Sequence, residues 1–233
     1  MQNIIVTDLT GLTHQQVVST AGIDLMTGTC IRLVPYLTTS ECKRFNIFPG
    51  VILSGEFTPV QNLTAPHYED MFYKKLSNFG TCSSSDFKLA LEAGLFDTVE
   101  KGFQIELVQN QKYIPVSHAV DRSIITIKTQ PGSVEIVESA YHPGKIKLNF
   151  VDNSDRAFKF VPLTDFGLNG FAESCHNLKG LKTLNDFIRS QAEIYLRIGL
   201  STPWNNGTTN GYWMQVNGLY TFPDYHHEIR NYH

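Results

Sequence analysis

Residues 19–35, STAGIDLMTGTCIRLVP, show the architecture of this chain most plainly. Residues 17–25 and 30–34 read as two β-strands folded about Met26-Thr27-Gly28, and Gly28 supplies the positive φ that a tight hairpin turn often needs. Pro35 has no amide to give to a ladder, so the second strand ends there. One cation, Arg32, stands between Ile31 and Leu33. If those two face a core, strand parity turns Arg32 to the opposite face. An arginine there can fork to a phosphate and stack on a base. The plainer alternative is a solvated strand residue paired across the hairpin with a group such as Asp24, and the sequence leaves both open.

Outward from the hairpin, residues 3–6 and 51–60 read as further strands. Helical signals follow. In PHYEDMFYKKLS, residues 66–77, Glu69 and Asp70 precede Lys74 and Lys75 by about a turn, the charge order that complements a helix dipole, so a short helix is expected. Ser84 or Ser85 would cap a second helix through SSDFKLALEAGLF. Residues 102–108, GFQIELV, return to strand alternation, and residues 112–115 read as a connector or an edge strand. Four strand-like runs then cover residues 123–128, 133–137, 145–151 and 157–163. In the third, Ile146, Leu148 and Phe150 share one parity while Lys145, Lys147 and Asn149 share the other, the mark of a half-buried strand. A helix capped at Thr183 precedes a strand at 194–200, an Asn/Gly-rich loop at 201–211 and a last strand at 211–222.

Two successive clusters of strands, each with about one helix, predict a mainly β chain with a few helices, built as two OB-like Greek-key barrels in tandem. The expected division is residues 1–112, a first barrel with a helical insertion, and residues 113–233, a second barrel.

The run AGIDLMTGTCIRLVP resembles the entry motif of the bacterial dual OB-containing domain family. PGVILSGEF followed by PHYED resembles that family's next strand and its segment bearing His67, Glu69 and Asp70. EIYLRIGLSTPW and GYWMQVNGLY are similar to its closing pair of strands. Two departures stand out: Cys30 occupies a place where the family usually has an aromatic, and the loop between the closing strands is longer. The resemblance implies two OB barrels, a bacterial or phage setting, and a nucleic-acid or nucleotide ligand in a conflict or defence context.

Charge narrows the choices. The formal net charge is −3, and neither half is basic: residues 1–116 hold 8 Lys/Arg against 11 Asp/Glu, and the remainder 11 against 11. Binding to duplex phosphates regardless of sequence is therefore disfavoured, because it rests on neutralising many phosphates at once. A local basic groove or a small nucleotide ligand remains open. No apolar run reaches 18 residues and no basic leader opens the sequence, so a cytoplasmic location and no membrane partner are expected. Cys30, Cys42, Cys82 and Cys175 are far apart and read as free thiols. Cys175-His176 and His226-His227 are weak metal signals, and no cofactor is implied. The phosphate-loop, zincin and nucleophile-elbow motifs are absent, which lowers an enzyme reading.

The candidate ligand-binding residues are accordingly Arg32, the loop cations Lys43 and Arg44, and the aromatics Trp204, Tyr212 and Trp213, since exposed aromatics beside a loop stack unpaired bases. Tyr212 and Met214 share one strand face and Trp213 and Gln215 the other, so one of the two aromatics belongs to the core. The leading expectation is a non-catalytic module for single-stranded nucleic acid or a nucleotide. The alternatives are an enzyme acting on nucleotides through His67, Glu69 and Asp70, and an assembly subunit with a protein partner.

Overall fold

The computed structural model describes residues 1–11, 16–174 and 178–224. Cys175-His176 and His226-His227 lie outside them.

The first half closes into a barrel. Its elements are β1 (Gln2–Gly11), β2 (Val17–Asp24), β3 (Cys30–Val34), the two-residue β4 (Leu37–Thr38), α1 (Thr39–Arg44), β5 (Val51–Pro59) and β6 (Asp70–Thr81). The strands run in the order β1-β5-β6-β3-β2, and β2 pairs back to β1, so five strands form a complete circuit. β3 and β6 pair in parallel; the other pairs are antiparallel. Ile4, Val6, Val18, Ile31, Leu33 and Leu53 fill the interior, joined at one end by Cys42 of α1 with Ile47 and Phe48. Thr38 caps α1 in a capping box with Glu41. The opening hairpin forms as its sequence predicts: Asp24 Oδ1 accepts from the amides of Met26 (2.8 Å) and Thr27 (2.7 Å), and Gly28 takes φ +70°.

The expected helix at residues 66–77 is instead a turn followed, from Asp70, by the start of β6. Met71 and Tyr73 turn inward with a strand's period of two, but a bulge follows, with Lys75 at φ +53°, and the next inward residue is Leu76. The bulge broke the alternation and left a spacing that imitates a helix. Lys75 and Glu56 form a cross-strand ion pair at 2.6 Å instead of serving a helix dipole.

The second half begins with α2 (Ser84–Glu92), capped by Ser83, and β7 (Leu95–Phe96). Then come α3 (Val99–Phe103), β8 (Tyr113–Pro115), β9 (Ile124–Thr129), β10 (Val134–Glu138), β11 (Ile146–Val151), β12 (Ala157–Pro162), α4 (Phe166–Ser174), α5 (Leu178–Ser190), β13 (Glu193–Asn205) and β14 (Asn210–Phe222). One sheet runs β7-β9-β13-β14-β8 and another β10-β11-β12; together they make a half-barrel around a core that includes Ile125, Ile127, Leu148, Phe150, Leu196 and Val216. The sheet draws on residues before position 112, since β7 pairs in parallel with β9.

Two further expectations give way. Residues 102–108 are not a strand: Thr98 caps the amide of Lys101 (3.1 Å) to start α3, and Gly102 lets that turn press against Ile125. The long loop at 201–211 shrinks to a tight turn because β13 and β14 continue to Asn205 and Asn210, with Asn206 Oδ1 accepting from Thr208 and Thr209.

The halves pack on each other. Ile5 and Ile23 of the barrel share a cluster with Phe87, Tyr195, Tyr220 and Phe222, and Tyr220 Oη donates to Thr7 O at 2.6 Å. Among the described residues no helix is long and apolar enough to cross a membrane. Cys30, Cys42 and Cys82 are free thiols.

Candidate functional site

A cleft of about 460 Å³ lies between the outer wall of the barrel and the second sheet. The barrel contributes Asp8 and Thr10 from β1, Ser19 and Ala21 from β2, Arg32 from β3, Tyr36, His67 from the β5–β6 connection and Asp70 at the start of β6. Ile124 of β9, Leu200, Ser201 and Thr202 of β13, and Gln215 and Asn217 of β14 form the facing side.

Strand parity sets the wall. Val18, Ile31 and Leu33 face the barrel interior, so Ser19, Ala21 and Arg32 face the cleft. Arg32 is only 7% exposed. Its Nε donates to Asp70 Oδ1 at 2.6 Å and its Nη1 to Ser123 Oγ at 3.2 Å, while Nη2 makes no hydrogen bond among the described residues. The partner is thus Asp70 and not Asp24, whose Oδ1 is committed to the hairpin turn. Burial opposes the Arg32 charge, but the hydrogen bond and charge of Asp70 outweigh it and hold its pKa above the ordinary arginine value.

Glu69 points away from the cleft. It accepts from Ser123 N (2.5 Å), Ser123 Oγ (2.9 Å) and Ile124 N (3.1 Å), pinning the start of β9 to the barrel. Burial raises its pKa, against the lowering effect of those bonds. His67 is different. Neither ring nitrogen has a hydrogen-bond partner of regular geometry, although the Ser201 main chain lies near enough to favour the proton slightly. Burial, and then the Arg32 charge, push its pKa down to about 4, so the imidazole is neutral at pH 7. His67, Glu69 and Asp70 therefore have three separate duties, and the described residues contain no group of three His, Cys, Asp or Glu able to hold a metal.

Below Arg32 lies a second ion pair. Arg197 of β13, 1% exposed, forks onto Asp8 through Nη2 (2.8 Å) and Nε (3.0 and 3.2 Å) and donates to Thr126 Oγ1 at 2.9 Å. Arg197 Nη2 also reaches Cys30 Sγ at 3.5 Å. Burial pushes the Cys30 thiol up to about 12, so it is protonated and a poor nucleophile. The cleft thus holds Arg32 paired with Asp70, and its other carboxylate, Asp8, is neutralised from within the protein by Arg197, which does not line it. Gly199 completes the facing side: a Cβ there would run into the Asn217 side chain, so only glycine leaves Asn217 its place.

Lys43 and Arg44 are exposed on α1 and do not line the cleft; the Arg44 guanidinium lies over the Phe45 ring at 4.5 Å. Tyr212 is the core aromatic of its pair, 8% exposed, with its hydroxyl donating to Ala65 O at 3.0 Å and its ring edge against His67. Trp213 shares strand parity with Gln215. It packs against Tyr113 (5.2 Å) and Trp204 (5.7 Å), and Trp204 is 57% exposed at the far end of the hairpin.

Sequence reasoning passed over Asp8, Gln215 and Asn217. Asp8 carried a signal, a lone carboxylate inside the apolar run IIVTDLT. Gln215 and Asn217 carried none beyond parity. Compared with family models, curated proteins and solved structures, the chain matches none.

Proposed function

We propose that the chain is a non-catalytic binding module for single-stranded nucleic acid or a nucleotide, and that the cleft receives one base-sized planar group. The observation that carries this reading is a concavity lined by polar groups that make no hydrogen bond among the described residues, Arg32 Nη2 and the Gln215 amide, beside the neutral ring of His67. A ligand with donors and acceptors along one edge is the natural complement of such groups in a concave site. The volume of about 460 Å³ suits a ligand of nucleotide size.

The barrel supports an OB-type reading. Its third and fifth long strands, β3 and β6, pair in parallel, α1 sits between the third and the fourth, and the cleft lies over β2 and β3 beside the connection between the last two strands. In OB barrels that face and that loop hold oligonucleotides. The resemblance to dual OB-containing proteins extends the proposal to a second OB unit and to a bacterial or phage conflict setting in the cytoplasm. Turnover has less support, because Glu69 and Asp70 are engaged and the Cys30 thiol is protonated.

Fluorescence anisotropy with short DNA and RNA oligomers, and calorimetry with nucleosides and nucleotides, test the reading. Binding that Gln215→Ala and Arg32→Gln each weaken is expected. Absence of binding by every one of these probes, or affinity unmoved in both variants while they remain folded, overturns it.

A further inference from the structure

We infer a second ligand surface, on the outer face of β11 and β12, that carries the phosphates of a single strand. It rests on the nucleic-acid reading above but uses none of the cleft residues.

Lys112, Lys147 and Lys159 gather there without a paired carboxylate among the described residues. Lys112 crosses to β12, its Nζ donating to Lys159 O at 2.9 Å. Lys147, on the outward parity of β11, lies close enough to Lys112 and Lys145 to feel both charges; burial first, then those charges, hold its pKa below the usual lysine value. Burial does the same to Lys112. Among the described residues no carboxylate pairs with Lys112, Lys147 or Lys159, and Lys145 has only Glu173 at 3.9 Å. The acidic groups of neighbouring β10 are occupied: Glu138 accepts from Gly144 N, and Glu135 faces Asn149 and Arg189. Like charges drawn partly out of water with no counter-ion are unfavourable, and an anion with several oxygens relieves both penalties.

A second feature points to the class of anion. The β11–β12 ladder bulges opposite Asn149, where Phe160 adopts φ +56° and its amide donates to Asn149 Oδ1 at 2.8 Å. A bulge re-aims a side chain, and a left-handed aromatic residue is strained. Here the result is a ring 49% exposed beside Lys159. Lysines interleaved with an exposed ring are what an unpaired strand uses, phosphates on ammonium groups and a base on the ring; free phosphate or a lipid headgroup has no use for the ring.

The test uses the full chain with fluorescein-labelled oligothymidylate and oligouridylate across a salt series, and thymidine by calorimetry. Lys112→Gln/Lys147→Gln is expected to flatten the slope of log K against log salt by about 1.4, at about 0.7 for each phosphate contact of a single strand. Phe160→Ser is expected to weaken oligomer binding roughly 10-fold at unchanged slope. Thymidine affinity should stay constant in both. Unchanged slope and affinity in variants that melt like the parent would overturn the inference, as would binding of pyrophosphate or phosphatidylserine vesicles without oligomer binding. If thymidine binds but no oligomer does, the cleft reading stands and this one falls. Lysine-dependent oligomer binding without thymidine binding supports this surface and counts against the cleft.

Discussion

Asp8→Asn removes the negative charge from a pair that solvent does not reach. The Arg197 and Asp8 side chains are 1% and 2% exposed, and three contacts of 2.8 to 3.2 Å join them. Water cannot replace the lost charge, so the guanidinium keeps its desolvation penalty without compensation. Removing one partner of such a pair costs about 3–5 kcal/mol. An exposed pair contributes only about 0.2–1 kcal/mol. Asparagine retains one acceptor, which places this substitution toward the lower figure, still a large part of the roughly 5–15 kcal/mol of a typical fold. Because the pair joins β1 to β13, the loss should appear as cooperative destabilisation of both halves. Urea unfolding followed by tryptophan fluorescence and circular dichroism measures it, with coincident transitions as the check on two-state behaviour. A double-mutant cycle of Asp8→Leu, Arg197→Met and Asp8→Leu/Arg197→Met completes the test, and the double variant, which removes both charges, should be less destabilised than either single one. A loss below about 1 kcal/mol for Asp8→Asn, or additive effects around the cycle, would mean that the two charges do not depend on each other in the way their burial requires.

His67 makes stability depend on pH. Its folded pKa of about 4 lies below the ordinary 6.5, so its contribution is fully present above pH 6.5 and is lost as pH falls toward 4, by about 3 kcal/mol at 1.36 kcal/mol per unit. Glu69, raised by burial, works in the opposite direction, so the difference between the parent and His67→Phe is the quantity to follow by thermal melts; identical pH profiles would contradict the assignment. Gly199→Ala should cost about 1–3 kcal/mol and weaken ligand binding by displacing Asn217, and adding Asn217→Ala should restore stability but not binding. Thr38→Ala removes the cap of α1 and should lower the urea midpoint by an amount equivalent to about 1 kcal/mol.

Local chemistry was legible in the sequence wherever neighbours in the chain decide the outcome. The β2–β3 hairpin turns on Asp24 and Gly28, which lie within residues 19–35. β11 shows its buried face through Ile146, Leu148 and Phe150, and α2 starts at a serine cap within a residue of where the pattern put it. A barrel was foreseeable from the strand inventory, as was the free state of Cys30, Cys42 and Cys82. Tertiary structure decided the rest. β6 became a strand because β3 and β5 offered it two ladders, and its bulge at Lys75 hid the period that would have announced it. The cleft joins residues from β1, β2, β3, β13 and β14, and the ion pair that neutralises its Asp8, with Arg197, spans 189 positions. Periodicity tells which face of a strand is apolar. It does not tell which distant strand will cover the polar face, and that covering is what turned Arg32 from a surface cation into part of a cleft.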